Sequence, residues 1–260
     1  LQIPAVELLS ISDGIENLVP TIYGSPWNPV TDGVELTTHP WIALANGEVP
    51  DVPILHGSNT DEGTMFTMLP KMCTEKELET FWTGYGYTQT QQEVLKDLYL
   101  DQKYPYVANV TKYYWSAMRE LGTKYASQQL SNMKSHTSPV YYYHFEHKKA
   151  GEDYVPHASE ISFVFHQKYY FDTPSDWSMC DVMTSYWGHF IINKDSNPST
   201  GTVGLKYDLV TWPAYHADTD ESIILKNSND VSVISGLKSD ECDFLIPFMD
   251  ESLRSMFPSK

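Results

Sequence analysis

Val52-Pro53-Ile54-Leu55-His56-Gly57-Ser58-Asn59-Thr60-Asp61-Glu62-Gly63 is the stretch on which the fold turns. An apolar run of strand length closes on Gly57-Ser58-Asn59, which predicts a short buried strand over 52–57 ended by turn chemistry. Two adjacent carboxylates, Asp61 and Glu62, stand just beyond it. In open α/β sheets, ligand-binding and catalytic groups gather past the carboxyl ends of the strands. The same two residues equally suit the start or cap of a following helix.

Outward from that stretch, two helices open on capping boxes, Thr74 with Glu77 and Thr88 with Gln91. Tyr114, Ala117, Met118, Leu121 and Tyr125 recur at helical spacing and predict an amphipathic helix from about Val110 to Leu130. Tyr141 to His147 has high β-propensity, and Asp181 to Ile192 fits another helix. The first fifty residues, rich in Pro, Gly and Asn, predict loops with short helical pieces. Strands alternating with helices indicate an α/β architecture with a largely parallel sheet, and residues 1–260 are expected to form one domain or part of one.

Composition narrows the function. With 34 acidic against 17 basic residues the net charge is −17, a surface that repels nucleic-acid phosphates and anionic lipid. No nucleic-acid partner is expected, and no run reaches the roughly 18 apolar residues of a membrane span. The start, Leu1-Gln2-Ile3-Pro4, carries neither Met nor a basic region leading into an apolar run, so the expectation is a chain that begins after a cut. Three cysteines, Cys73, Cys180 and Cys242, allow at most one internal bridge. Asn109-Val110-Thr111 is a sequon, a glycosylation site if the protein is secreted.

His157, in Val155-Pro156-His157-Ala158-Ser159-Glu160-Ile161, lies in a polar loop ahead of an apolar run, where it serves either as a surface residue or as a general base. Glu160 either stands near that histidine or ties its loop down. His144 and His147 have a metal-like spacing, but on a strand they point to opposite faces, so no metal is expected. Phe66, Phe163 and Phe165 suit core packing better than a substrate pocket. Serine hydrolases of the α/β-hydrolase type order their triad as Ser, then acid, then His, with the serine in Gly-x-Ser-x-Gly. Glu62 precedes His157 in that order, yet none of the 14 glycines opens such an elbow.

These residues resemble the type-B carboxylesterases, a family that includes cholinesterases and fungal lipases. The resemblance runs from Asn28-Pro29-Val30-Thr31-Asp32-Gly33, through the strand and Asp61-Glu62-Gly63, to His157-Ala158-Ser159-Glu160-Ile161-Ser162-Phe163-Val164-Phe165. Tyr186-Trp187-Gly188-His189-Phe190, Asn197-Pro198, Trp212-Pro213-Ala214-Tyr215 and Cys242-Asp243-Phe244 follow in order. It implies the C-terminal half of an α/β-hydrolase fold, with Glu62 as the triad acid and His157 as the catalytic histidine. Cholinesterases usually carry Gly after the histidine, where this chain has Ala158. The partner of their C-terminal cysteine would fall near Trp115 to Met118, where this chain has no cysteine.

What the resemblance implies is a carboxylic ester hydrolase acting on a small-molecule ester, needing no cofactor and located outside the cell. Its nucleophilic serine and oxyanion hole would lie on an N-terminal fragment of the same precursor, tightly bound to this chain. The rival expectation is a catalytically silent, cholinesterase-like adhesion or carrier protein on the same fold. A third is an α/β domain in which Glu62 and His157 never meet.

Overall fold

The first strand, β1 (Ile54–Asn59), is shifted two residues toward the C-terminus of the predicted 52–57 and includes Gly57-Ser58-Asn59 rather than ending on them. The reason is its neighbour β2 (Val140–Phe145), which pairs with it in parallel and sets Gly57 opposite Tyr143. A Cβ built on Gly57 would lie 2.2 Å from the Tyr143 carbonyl oxygen and 2.4 Å from its ring. Gly57 is there for close approach across the sheet rather than for a turn.

The computed structural model describes residues 3–10, 30–62, 75–84, 86–99, 124–133, 136–197 and 209–256. Within them, β3 (Glu221–Asn227) pairs in parallel with β2, and β4 (Asp230–Ser235) returns antiparallel to β3. The sheet order is β1-β2-β3-β4, so the largely parallel expectation holds for three strands and gives way to a hairpin at the far edge. Among the described residues β1 pairs with β2 alone.

β2 shows how the core is divided. All six of its residues are buried, because helices or loops cover both sheet faces and its apolar run therefore has no polar alternation. Tyr141, Tyr143 and Phe145 join Ile223 and Leu225 of β3 on one face, while Val140 and Tyr142 join Ile224 on the other. The strand ends at Phe145, two residues before the expected His147.

The first face is covered by a helix of 20 residues, Pro174–Asn193. Shorter helices precede the sheet's second strand, among them α1 (Pro40–Asn46), α2 (Glu75–Gly84) and α3 (Gln89–Tyr99). Next come α4 (Ile161–Val164), the long helix just named as α5, and α6 (Ser239–Met256). Helix α5 starts seven residues before the predicted Asp181, because Thr173 caps it by accepting from the Asp176 amide and Pro174 supplies a preset φ in its first turn. Its Met179, Val182, Met183 and Tyr186 pack into the sheet.

The Thr88 capping box forms as expected: the Gln91 amide donates to Thr88 Oγ1 (3.3 Å) and the Thr88 amide donates to Gln91 Oε1 (2.8 Å). Of the long helix predicted to end at Leu130, residues 124–132 are helical, with Tyr125 and Leu130 buried. Thr74, Tyr114, Ala117, Met118 and Leu121 lie outside the described residues, as do Gly63, Phe66, Cys73 and Asn109. Phe163 is core, as expected, whereas Phe165 is 70% exposed because α4 ends before it and His166 turns the chain at φ 53°. Cys180 is fully buried, and that burial pushes its thiol up to about 12.

Candidate active site

Beyond β1 the chain keeps the sheet direction for two more residues. Thr60 donates its amide to the Phe145 carbonyl (3.1 Å), and Asp61 makes an isolated parallel bridge to Pro156. Asp61 is bound twice to Val155: its amide donates to the Val155 carbonyl (3.0 Å), and its Oδ2 accepts the Val155 amide (2.9 Å). The Asp61 carboxylate therefore fastens the start of the histidine loop to the strand end. Glu62, next along, is left to face inward.

Glu62 and His157 meet. Glu62 Oε2 lies 2.6 Å from His157 Nδ1, a charge-assisted contact, and Glu62 Oε1 accepts the Asn59 amide at 2.8 Å. With the carboxylate accepting Nδ1–H, the imidazole is held in the tautomer whose Nε2 carries a lone pair. The Glu62 side chain is 10% exposed and that of His157 is 43% exposed, so the acid is sheltered and the base is reachable from outside. The expectation that they never meet is thereby excluded.

The residue after the histidine explains a departure seen in the sequence. Ala158 has φ 68°, in the left-handed region that favours glycine, so the chain can reverse there and turn the His157 ring back toward Glu62. A family with Gly at this position meets the same backbone demand without strain. The turn is closed by the Ser159 amide and hydroxyl, which donate to the Pro156 carbonyl at 3.1 and 2.6 Å.

Glu160 belongs to the loop-fastening alternative. Its Oε2 accepts Asn59 Nδ2 at 2.5 Å, and it accepts the Tyr143 hydroxyl. Burial first, then the charges of Glu160 and Glu62, push the Tyr143 phenol well above its ordinary value, so it stays a neutral donor. Sequence reasoning missed both Asn59 and Tyr143. Asn59 carried one signal, a fully polar side chain at the end of an apolar strand; Tyr143 carried none, since its reach depends on Gly57.

The other histidines are engaged elsewhere. His144 Nδ1 is 3.4 Å from Ser58 Oγ and its Nε2 is 3.5 Å from Thr60 Oγ1, and burial, with the Lys238 charge second, lowers it to about 3. His147 is bound between Asp176 and the Lys226 carbonyl. Among the described residues no group of His, Cys, Asp or Glu is placed to hold a metal ion.

Comparison with known proteins gives the family and the fold. The chain is 27% identical to the para-nitrobenzyl esterase of Bacillus subtilis (strain 168) over 235 residues, covering 86% of this chain and 44% of that protein. It is 25% identical to an acetylcholinesterase of Leptinotarsa decemlineata, covering 94% of this chain and 41% of the other. A solved structure of a PNB esterase superposes with a TM-score of 0.67 at 24% identity, over 94% of this chain and 49% of that one, and shows the α/β-hydrolase fold. The chain thus spans about half the length of the relatives it matches. The carboxylesterase family model matches residues 2–245, and the chain belongs to that family.

Proposed function

We propose that this chain is the base-supplying part of a carboxylic ester hydrolase, with His157 as general base and Glu62 as its orienting carboxylate. The observation that carries the reading is the 2.6 Å contact between His157 Nδ1 and Glu62 Oε2 at the carboxyl end of β1. A serine hydroxyl is a weak nucleophile until a base takes its proton during attack. His157 Nε2 takes that proton as the serine oxygen bonds to the ester carbonyl carbon, then returns it to the departing alcohol. A water repeats the sequence on the acyl-enzyme: it loses its proton to Nε2 as it attacks, and Nε2 passes that proton to the departing serine oxygen as the acid is released. Through both halves Glu62 stabilises the imidazolium.

The serine comes from polypeptide outside these 260 residues, because no Gly-x-Ser-x-Gly occurs in them. The natural place for it is a segment of the same precursor packed alongside β1, whose second edge has no strand partner among the described residues. That segment would also bring the oxyanion donors. A location outside the cell and a glycan on Asn109 fit the same reading. The substrate is a small-molecule carboxylic ester, and the reaction as written needs no cofactor.

A fluorophosphonate probe applied to the natural protein tests this. The expected product carries the label on polypeptide other than these 260 residues, and His157→Ala abolishes labelling. Label on a serine within residues 1–260 overturns the split assignment. No label at all, with an intact fold, makes the protein a silent binding member of the family instead.

A further inference from the structure

Building on the ester-hydrolase reading, we propose that Asn59 is a positioning residue that locks the His157 loop to the strand carrying Glu62. Asn59 is fully buried and touches both members of the pair's support. Its backbone amide holds the Glu62 oxygen that faces away from His157, at 2.8 Å. Its side-chain amide reaches across to the loop, donating from Nδ2 to the Pro156 carbonyl (2.9 Å) and to Glu160 Oε2 (2.5 Å), with Ser159 Oγ at 3.5 Å. Pro156 and Glu160 bracket His157 on either side in the chain. One residue therefore sets both the carboxylate and the loop bearing the imidazole.

The donor direction makes the arrangement specific. Nδ2 faces a carbonyl, a carboxylate and a hydroxyl, so the amide sits with its nitrogen toward the loop and the reverse orientation would set oxygen against oxygen. Glu160 is the anchor on the far side, and the neutral Tyr143 hydroxyl holds it from the sheet. The result is a chain of hydrogen bonds from β2 through Glu160 and Asn59 to the peptide preceding His157. None of these groups need touch an ester. Their effect is on where the imidazole stands relative to the incoming hydroxyl, and misplacement by about 1 Å costs on the order of 100-fold in rate.

Variants of the natural full-length protein separate this role from a merely structural one. Asn59→Ala should lower kcat by about 10- to 100-fold with KM little changed, and broaden or shift the low-field proton resonance of the Glu62–His157 contact. Asn59→Asp should do worse, because it turns the loop-facing donor into an acceptor. Adding Glu160→Gln to Asn59→Asp restores a donor across that contact and should recover part of the lost kcat. An Asn59→Asp variant that folds but keeps wild-type kcat and an unmoved resonance overturns the proposal. So does equal damage in the single and double variants. If Asn59→Asp fails to fold, Asn59→Ala and Glu160→Gln read the same two quantities. His157→Ala is the control for the underlying reading: activity surviving it removes the esterase mechanism itself, whereas loss there with unaltered Asn59 variants removes only the positioning role.

Discussion

Two of the histidine–carboxylate pairs in this fold have opposite characters. His157 and Glu62 meet at 2.6 Å, and His147 and Asp176 meet at 2.8 Å. In the second pair both nitrogens are committed: Nδ1–H donates to the Lys226 carbonyl at 2.9 Å, and one proton is shared between Nε2 and the Asp176 carboxylate. The Asp176 carboxylate also accepts Thr173 Oγ1 at 2.6 Å and so belongs to the cap of α5. Both side chains are buried, and Phe145 and Phe163 pack their rings on His147. That pair ties β2, β3 and α5 together. The His157 pair stands at a strand's carboxyl end, with a sheltered acid and an accessible base. A short contact is common to both; access to the imidazole distinguishes them. A further pair, His166 with Asp181, has access without shelter, and Lys168 shares its carboxylate at 2.7 Å.

The comparison breaks most readily at the two histidines. Under the proposed function, His157→Ala should cut kcat/KM of the natural protein on a carboxylic ester by about 10⁴-fold or more while leaving the melting temperature nearly unchanged. His147→Ala should do the reverse, costing about 3–5 kcal/mol by stranding Asp176 while activity per folded molecule survives. Steady-state kinetics paired with chemical denaturation reads both. If the two variants show the same profile, the distinction between a working and a tying pair is wrong.

A smaller effect is expected at Gly57. An alanine there drives its Cβ into the Tyr143 backbone, which cannot swing aside as a side-chain tip would, and should cost about 1–3 kcal/mol. Because Tyr143 holds Glu160, kcat should fall along with stability. A Gly57→Ala protein with both unchanged would show that β1 and β2 are not as close as 2.2 Å implies.

Acid should act on a different set of groups. Burial lowers His56 from the ordinary value near 6.5 to about 4 and His144 to about 3. Below pH 6.5 the unfolded chain takes up two protons that the folded chain refuses, so stability present above that pH is lost as pH falls toward 3. Urea midpoints against pH should show this slope, and His56→Gln should flatten part of it. At the other extreme of size, Ala158→Gly relieves a φ of 68° and should stabilise by less than about 1 kcal/mol, the gain being offset by the greater freedom of glycine in the unfolded chain.

Much of the site was legible in the residue order. Asp61-Glu62 past an apolar run and His157 ahead of another place a carboxylate pair and a histidine at the ends of elements, and the fold brings Glu62 and His157 within 2.6 Å. Helix starts with side-chain signals were also readable, as Thr88 with Gln91 shows. Gly57 is ambiguous in sequence, because a glycine in a turn and a glycine under a neighbouring tyrosine look alike in one dimension. Helix α5 reaches back to Pro174, ahead of the stretch from Asp181 that the sequence predicts, because Thr173 caps it and a cap is read only together with the turn it starts.

What the sequence determined by itself is local: apolar strand cores, capping chemistry, a carboxylate and a histidine in family order, and a net charge of −17. What tertiary structure alone decided is pairing. Which carboxylate each histidine meets, which ring stays open to solvent, and that Asn59 spans strand and loop all depend on β1 and β2 lying in register. Hydrogen bonds act over about 3 Å, whereas the partners lie many residues apart in the chain, so only the folded sheet can say which of them come within reach.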